Sequence, residues 1–564
     1  MAGEQPDLQR LIDDAIAQGQ TELVLPQGEY RLTPWAEHSP HLSIQGAKNL
    51  SIVAAGVKII CTKLNQAVEI TDADQLTLSG LTIDYDPLPF TQGEVVAVRQ
   101  DGRTLEVELD KGYPELTDRV RVSVWTPDGT RVKPGTWTRY TGRFEKLDGR
   151  RVAYDQGKAY SDVEVGDRLV FSQQIVTPHA VIIRGAKNST FRDVTVHAST
   201  TFGFLELDGD GNHFDGLRIT PGPMPSGADR PRILSTLADG FHSKFARRGP
   251  LVENCRFERM GDDGIAINGD FMLVVAADVA ADPPTLTLAF KRRLGLGIGD
   301  QVLGRDRQSG TVLGLSRVSS LREASDDVNE ALGQLVKQSL PELREKNVFE
   351  KAWEFELETP LDLQPGDLVS SPDRNGSGFV IRNNTIRDHR ARGILVKASD
   401  GVIEDNTIEG SSMAGILICP EVDFWMEADF SQDVKIRDNV IRDVNLAAAN
   451  PGLTYAGAIT VTAPGLHQTM GHRDLEITGN EISGGAGPAI FVSCAQDVTV
   501  ADNRFIGTHQ YPGGHGGAYG IPADSEIHLA FVQNVAVHDN TVSQPGPYAG
   551  PLLTSDEPGV QADD

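Results

Sequence analysis

Short runs in which Val, Ile or Phe alternate with polar residues recur along the chain, each ending at a turn built on Asn, Asp or Gly. They are clearest in FVIRNNTIRD (379–388), GVIEDNTIEG (401–410), DVKIRDNVIRD (433–443), DLEITGNEISG (474–484), DVTVADNRFIG (497–507) and NVAVHDNTVSQ (534–544). Such alternation marks a strand with one face inward. Asn384 and Asn406 stand 22 residues apart, Asn406 and Asn439 33, and Asn480 and Asn503 23. A base period near 22, lengthened in places, predicts stacked coils, because one coil cannot bury its own apolar face. The expected fold is all-β, a right-handed parallel β-helix. Its repeated Asn residues read as a structural ladder along the stack. The leucine-rich pattern LxxLxLxxN is missing, and a propeller needs a longer period.

Near the start, Leu8, Leu11, Ile12 and Ile16 recur at helical intervals before Gly19, predicting a short amphipathic helix over the open end of the first coil. Two regions break the period. Residues 93–172 read as alternating strands with hairpin turns at Asp101-Gly102 and Asp128-Gly129. Residues 271–375 repeat that grammar around a charged helical stretch from about Leu321 to Lys346. The expected division is thus a cap and first coils (1–92), a small β-barrel-like insertion (93–172), coils carrying an acidic cluster (173–270), a second β-barrel-like insertion (271–375), and C-terminal coils with a tail (376–564).

Composition narrows the function. Asp and Glu number 79 against 52 Lys and Arg, a net charge of −27. That field argues against nucleic acid and anionic membranes as partners. Nothing in the sequence is long and apolar enough to insert in a bilayer. Cys61, Cys255, Cys419 and Cys494 have neither disulfide-framework nor zinc spacing. The N-terminus suits a cytoplasmic protein as written, or a secreted or periplasmic one whose leader has been removed.

Chemistry concentrates in LADGFHSKFARRGPLVENCRFERMGDDGIAINGD (237–270). Asp262 and Asp263 follow Asp239 by 23 and 24 residues, about one coil, which stacks the three carboxylates. Carboxylates so close cannot all ionise cheaply, so one should keep a proton and another stay charged. That division suits general acid and base in glycoside hydrolysis. The same acids could bind Ca²⁺ or form a solvated turn. The expectation is catalysis by Asp239, Asp262 and Asp263, with neither metal nor cofactor. His242 stands beside them as a substrate-binding candidate.

ADGFH followed one coil later by GDDGIAING resembles the β-helical, pectin-lyase-like glycosidases, among them polygalacturonases and the α-1,3-galactosidases of glycoside hydrolase family 110. The segments LTIDYDPLPFTQG (81–93) and HRARGILVKAS (389–399) add to the likeness. The resemblance implies a β-helix interrupted by small barrels and inversion at the anomeric carbon. It also implies Asp262 as general acid, with Asp239 and Asp263 as base or water holders. The chain departs from the polygalacturonase pattern in having Leu237-Ala238-Asp239 for Asn-Thr-Asp, and in lacking Gly-His-Gly after Asp263.

Further substrate contacts are expected from coils on the same face: Arg392 and Lys397, then Glu421, Asp423, Trp425 and Glu427, whose indole and carboxylates suit sugar C–H faces and hydroxyls. Asp84 and Asp86 in DYDPLPF could rim the cleft. The expected partner is an oligo- or polysaccharide. The leading function is an exo-acting inverting glycosidase removing a terminal α-galactose-like sugar. The alternatives are a lyase or intramolecular transferase, or a non-catalytic sugar-binding β-helix. A homodimer or homotrimer is compatible with the exposed lateral strands.

Overall fold

The computed structural model describes residues 6–117, 120–140, 142–159, 162–173, 178–291, 293–339, 349, 351–422, 424–447, 457–464, 469–512 and 521–557. Among them the chain winds into three rows of short parallel strands. In the first row Leu42, Val68, Val181, Phe204, Phe241, Ile265, Ile394, Ile416, Ile459, Ile490 and Ile527 are successive register partners. In the third, Ile59, Ile83, Val196, Ile219, Phe257, Ile386, Ile408, Ile441, Ile482 and Phe505 align in the same way. Both columns are buried and join in one continuous core. The alternation read from the sequence is this inward face, and the expected parallel β-helix is the fold.

Val380, Thr385 and Ile394 pair with Val402, Thr407 and Ile416, each 22 residues on. From Val402 to Lys435 the step is 33. The addition lies between the strands Ile416–Ile418 and Gln432–Arg437 and carries Glu421, Trp425 and Glu427. Coil length therefore varies where the first row exits, while the core registers hold.

The asparagines form the expected ladder. Asn384 Nδ2 donates to Asn406 Oδ1 (2.9 Å), Asn406 to Asn439 (3.0 Å), Asn439 to Asn480 (3.0 Å), Asn480 to Asn503 (3.0 Å) and Asn503 to Asn540 (2.9 Å). Each receiving Oδ1 also accepts the backbone N–H of the preceding rung. The residue before a ladder Asn is left-handed, with φ 52° at Asn383, 55° at Asp405 and Asp438, and 57° at Asp502. Asn, Asp and Gly bear that conformation most cheaply, which explains the repeated dipeptides.

The N-terminal helix spans Leu8–Ala17, capped by Asp7 and burying Leu8, Ile12 and Ala15 against the first coils. The region after the strand Thr82–Tyr85 holds a six-stranded antiparallel sheet around Val95, Leu105, Val122, Tyr154 and Phe171. In this first region expected to be β-barrel-like, Val120–Trp125 and Arg143–Lys146 stand at the two ends of the strand order. The region after Ile265–Asp270 closes into a six-stranded barrel around Met272, Leu286, Val302 and Phe355. Its helix spans Asp326–Ser339. Leu321–Glu323, expected helical, belong instead to the strand Val312–Glu323, paired with Lys351–Leu357; residues 340–348 lie outside the described residues. The four cysteines are buried thiols. No described helix is long and apolar enough to cross a membrane.

Candidate active site

Glycines set the site's geometry. Gly240 and Gly264 directly precede first-row strands, and their N–H groups donate to Asp263 O and Arg392 O (both 2.9 Å). A Cβ on Gly264 would come within 2.5 Å of Gly393 O, so neighbouring coils approach this closely only through glycine. The residues just before, Asp239, Asp263 and Arg392, consequently stand one above another, with Asp262 one position earlier on the same shelf. A carboxylate oxygen from each of Asp239, Asp262 and Asp263 lies within 4.8 Å of the other two. The spatial expectation drawn from their 23- and 24-residue spacing is met.

Arginines divide the three carboxylates. Arg390 reaches Asp262 Oδ2 at 2.6 Å and Arg121 approaches it at 3.7 Å. Burial pushes Asp262 up, but Arg390, Arg121 and Arg392 outweigh it and hold the carboxyl below its ordinary range. Arg392 grips Asp263 twice, through its guanidinium (2.7 Å) and its backbone N–H (2.9 Å). Burial still dominates there, and with Asp239 and Asp262 adding to it Asp263 is raised to about 7. Asp239, buried beside Asp262, is raised well above the carboxylate range although the backbone N–H of Asp263 favours its charge; its Oδ2 also meets His242 Nδ1 (2.8 Å). At neutral pH Asp262 is charged, while Asp239 and Asp263 retain protons between them. The general-acid role that the resemblance implied for Asp262 thus falls on a carboxyl held below its ordinary range. The three acids are also a donor set for a hard cation. Three guanidinium groups already neutralise them, so they fit an arginine-balanced cluster better than a calcium site.

The other expected residues divide. His242 lies against Asp239, with its ring stacked on Phe202 (centroids 5.0 Å apart). Burial lowers it to about 4, so it is a neutral partner of the cluster. Lys397 pairs with Glu427 (2.6 Å). Burial opposes the charge on Glu427, but Lys397, Lys244 and His242 bring its carboxyl well below the ordinary range. Trp425 is 48% exposed, flanked by Phe424 and Lys291. Three expected substrate contacts are occupied otherwise. Glu421 accepts the backbone N–H groups of Phe424 (2.7 Å), Trp425 and Met426 (2.9 Å), so it shapes its own loop. Asp84 is buried under a two-pronged bond to Arg232 (2.7 and 3.1 Å). Its strand stands three pairings from the strand leading to Asp262, ~14 Å along the axis. Asp86 forms an exposed ion pair with Arg31 (2.8 Å). Asp423 lies outside the described residues.

Sequence reasoning missed what the first insertion contributes. Arg121 lies on the strand Val120–Trp125 and bonds Leu237 O beside Asp262. Thr138 Oγ1 and Tyr140 OH accept from Arg390 at 2.9 and 2.8 Å, and the Trp137 ring faces its guanidinium at 5.8 Å. Gly135 N–H donates to Leu446 O (2.7 Å), carrying the insertion across to later coils. Arg390 had a signal in its tandem with Arg392. Arg121 had none, since the fold-back that brings it here is tertiary.

Residues 374–560 match the family described as "Right handed beta helix region". The match covers the C-terminal third of the chain, and the strand rows carry the same parallel β-helix fold through the coils before it. This β-helix is 23% identical over 84% of its length to alpha-1,3-galactosidase B of Akkermansia muciniphila, spanning 58% of that protein. It is 23% identical over 87% of its length to alpha-1,3-galactosidase B of Parabacteroides distasonis, spanning 81% of it. Among solved structures it is similar to the catalytic unit of the GH87 alpha-1,3-glucanase of Streptomyces thermodiastaticus. The TM-score is 0.47 and the identity 12%, over 98% of this chain and 65% of that one.

Proposed function

We propose that this protein is a glycoside hydrolase that removes a terminal sugar, α-galactoside-like, from an oligo- or polysaccharide. The observation that carries the reading is the shelf of three adjacent carboxylates whose protonation the surrounding arginines split. The names of the relatives supply the sugar. In the proposed step Asp239 donates its proton to the glycosidic oxygen as the C–O bond breaks. Asp263, raised to about 7, takes a proton from the water that attacks the anomeric carbon. Asp262, fixed as a carboxylate by Arg390 and Arg121, orients that water and stabilises the oxocarbenium-like charge. Trp137 and Tyr140, packed on the Arg390 that holds Asp262, supply aromatic surface beside the shelf, which suits a short, walled site and exo action.

Inversion follows the resemblance. Retention is the second reading, favoured by one observation: the oxygens lie closer than the ~6.5–9.5 Å usual for inverting pairs and nearer the ~5–5.5 Å of retaining ones. The lyase alternative is weaker, because Arg392 and Lys397, its candidate cations, are both ion-paired. The test is incubation with α-galactosides, arabinosides, fucosides and galacturonides, following the first anomer released by NMR. Expected is the inverted anomer from an α-galactoside. The retained anomer would select the second reading, and an unsaturated uronate product would replace hydrolysis with elimination.

A further inference from the structure

Asp239 Oδ2 meets one nitrogen of His242, the carboxyl also faces the backbone N–H of Asp263, and the other imidazole nitrogen is engaged as well. His242 Nδ1 lies 2.8 Å from Asp239 Oδ2, and His242 Nε2 lies 3.0 Å from Asn268 Nδ2. His242 points outward from the strand Phe241–Lys244, between Leu205 and Ala266 in register, and all three are buried. Phe202 stacks on one face of the imidazole at an interplanar angle of 19°, and His179 stacks on Phe202 (4.6 Å). The ring therefore has a fixed plane and two fixed partners.

We infer that His242, its tautomer set by Asn268, is a positioning residue that confines the transferable proton of Asp239 to Oδ1. A neutral imidazole carries one N–H, and an amide nitrogen only donates. With Asn268 Nδ2 donating to Nε2, the ring proton is on Nδ1 and is donated to Asp239 Oδ2. That oxygen then serves as acceptor, and the carboxyl proton resides on Oδ1. When Asp239 gives the proton up, the bond from Nδ1–H becomes charge-assisted and strengthens as the reaction proceeds. Burial keeps the ring neutral throughout, its pKa lowered to about 4. The charged groups facing this pair are Asp262, Asp263, Arg392 and Arg121 around Asp239, with Lys244, Lys397 and Glu427 around the ring. They set the field, and only Asn268 and Asp239 hydrogen-bond the imidazole.

This inference rests on the glycosidase reading for its consequence, and one arm of its test needs no substrate. In ¹⁵N-histidine-labelled protein, the imidazole signal lost in His242→Asn should be an Nδ1–H tautomer that does not titrate between pH 5 and 8. An Nε2–H tautomer, which would arise if the Asn268 amide were turned so that Oδ1 meets the ring, overturns the inference, as does a ring that titrates. The second arm is kinetic. His242→Leu should lower kcat by about 100-fold and move the basic limb of the kcat/KM profile to higher pH by roughly one unit, because Asp239 loses a donor that favours its ionised form. His242→Asn, which keeps an N–H donor, should restore the limb and most of kcat. Equal losses in both variants with an unmoved limb would reduce His242 to packing. A wild-type protein that cleaves none of the glycosides would end the glycosidase reading alone, and the NMR arm would still decide the tautomer.

Discussion

Two stacks of polar side chains run through this β-helix, and they behave in opposite ways. The asparagine ladder from Asn384 to Asn540 joins successive rungs through each Oδ1 at 2.9–3.0 Å. It is uncharged and its chemistry is closed. The shelf of Asp239, Asp262 and Asp263 is likewise built by stacking one coil on the next, with oxygens within 4.8 Å of one another, yet its like charges cannot all be present at once. Stacking at the coil period thus yields a stabilising element where the group is an amide. It yields an element that must hold protons or counter-charges where the group is a carboxyl.

The contrast is sharpest in activity. Asp239→Asn should cut turnover by about 10³-fold or more, the scale of a lost general acid, with the thermal midpoint unchanged or raised. Turnover rate and thermal unfolding of the purified variant check both halves. An active Asp239→Asn would dissolve the distinction between the two stacks.

Acid and base should also part them. Asp263 titrates in the unfolded chain near the ordinary carboxylate value and in the fold near 7. The folded state therefore binds its proton more tightly, and stability is full below the unfolded pKa and falls as pH rises through about 7. Raised Asp239 adds in the same direction. Between pH 4 and 8 Asp263 alone should cost about 4 kcal/mol, read as a falling denaturation midpoint whose slope Asp263→Asn reduces. The ladder contributes no slope.

Within the ladder, Asn439→Ala strips the acceptor from the backbone N–H and Nδ2 of Asn406. It should destabilise by about 3 kcal/mol and leave kcat unchanged at a permissive temperature, measured by denaturant unfolding beside turnover. The smallest effect belongs to the proposed sugar contact at Trp425: Trp425→Ala should raise KM several-fold and leave kcat near its original value, since a half-exposed indole can stack on a sugar and transfers no proton.

Much of this was legible in the sequence, because the coil period dictates both stacks. The 22-residue step fixes the Ile and Val columns, and the same arithmetic brings Asp239 beside Asp262 and Asp263. Local composition misled where acids had private partners: Asp84 belongs to Arg232, Asp86 to Arg31, and Glu421 to the N–H groups of its own loop. Which carboxyl is held charged was beyond sequence reading. It depends on Arg121, which reaches Asp262 from a separate sheet, and on Arg390, aimed by Thr138 and Tyr140 of the segment between two strands of that sheet.

Which of the three carboxyls holds its proton can be observed directly. In protein labelled with ¹³C at the aspartate carboxyls, signals assigned by loss in Asp239→Asn and Asp262→Asn should show Asp239 protonated at pH 6 and Asp262 still ionised at pH 4. An ionised Asp239 beside a protonated Asp262 would contradict the account.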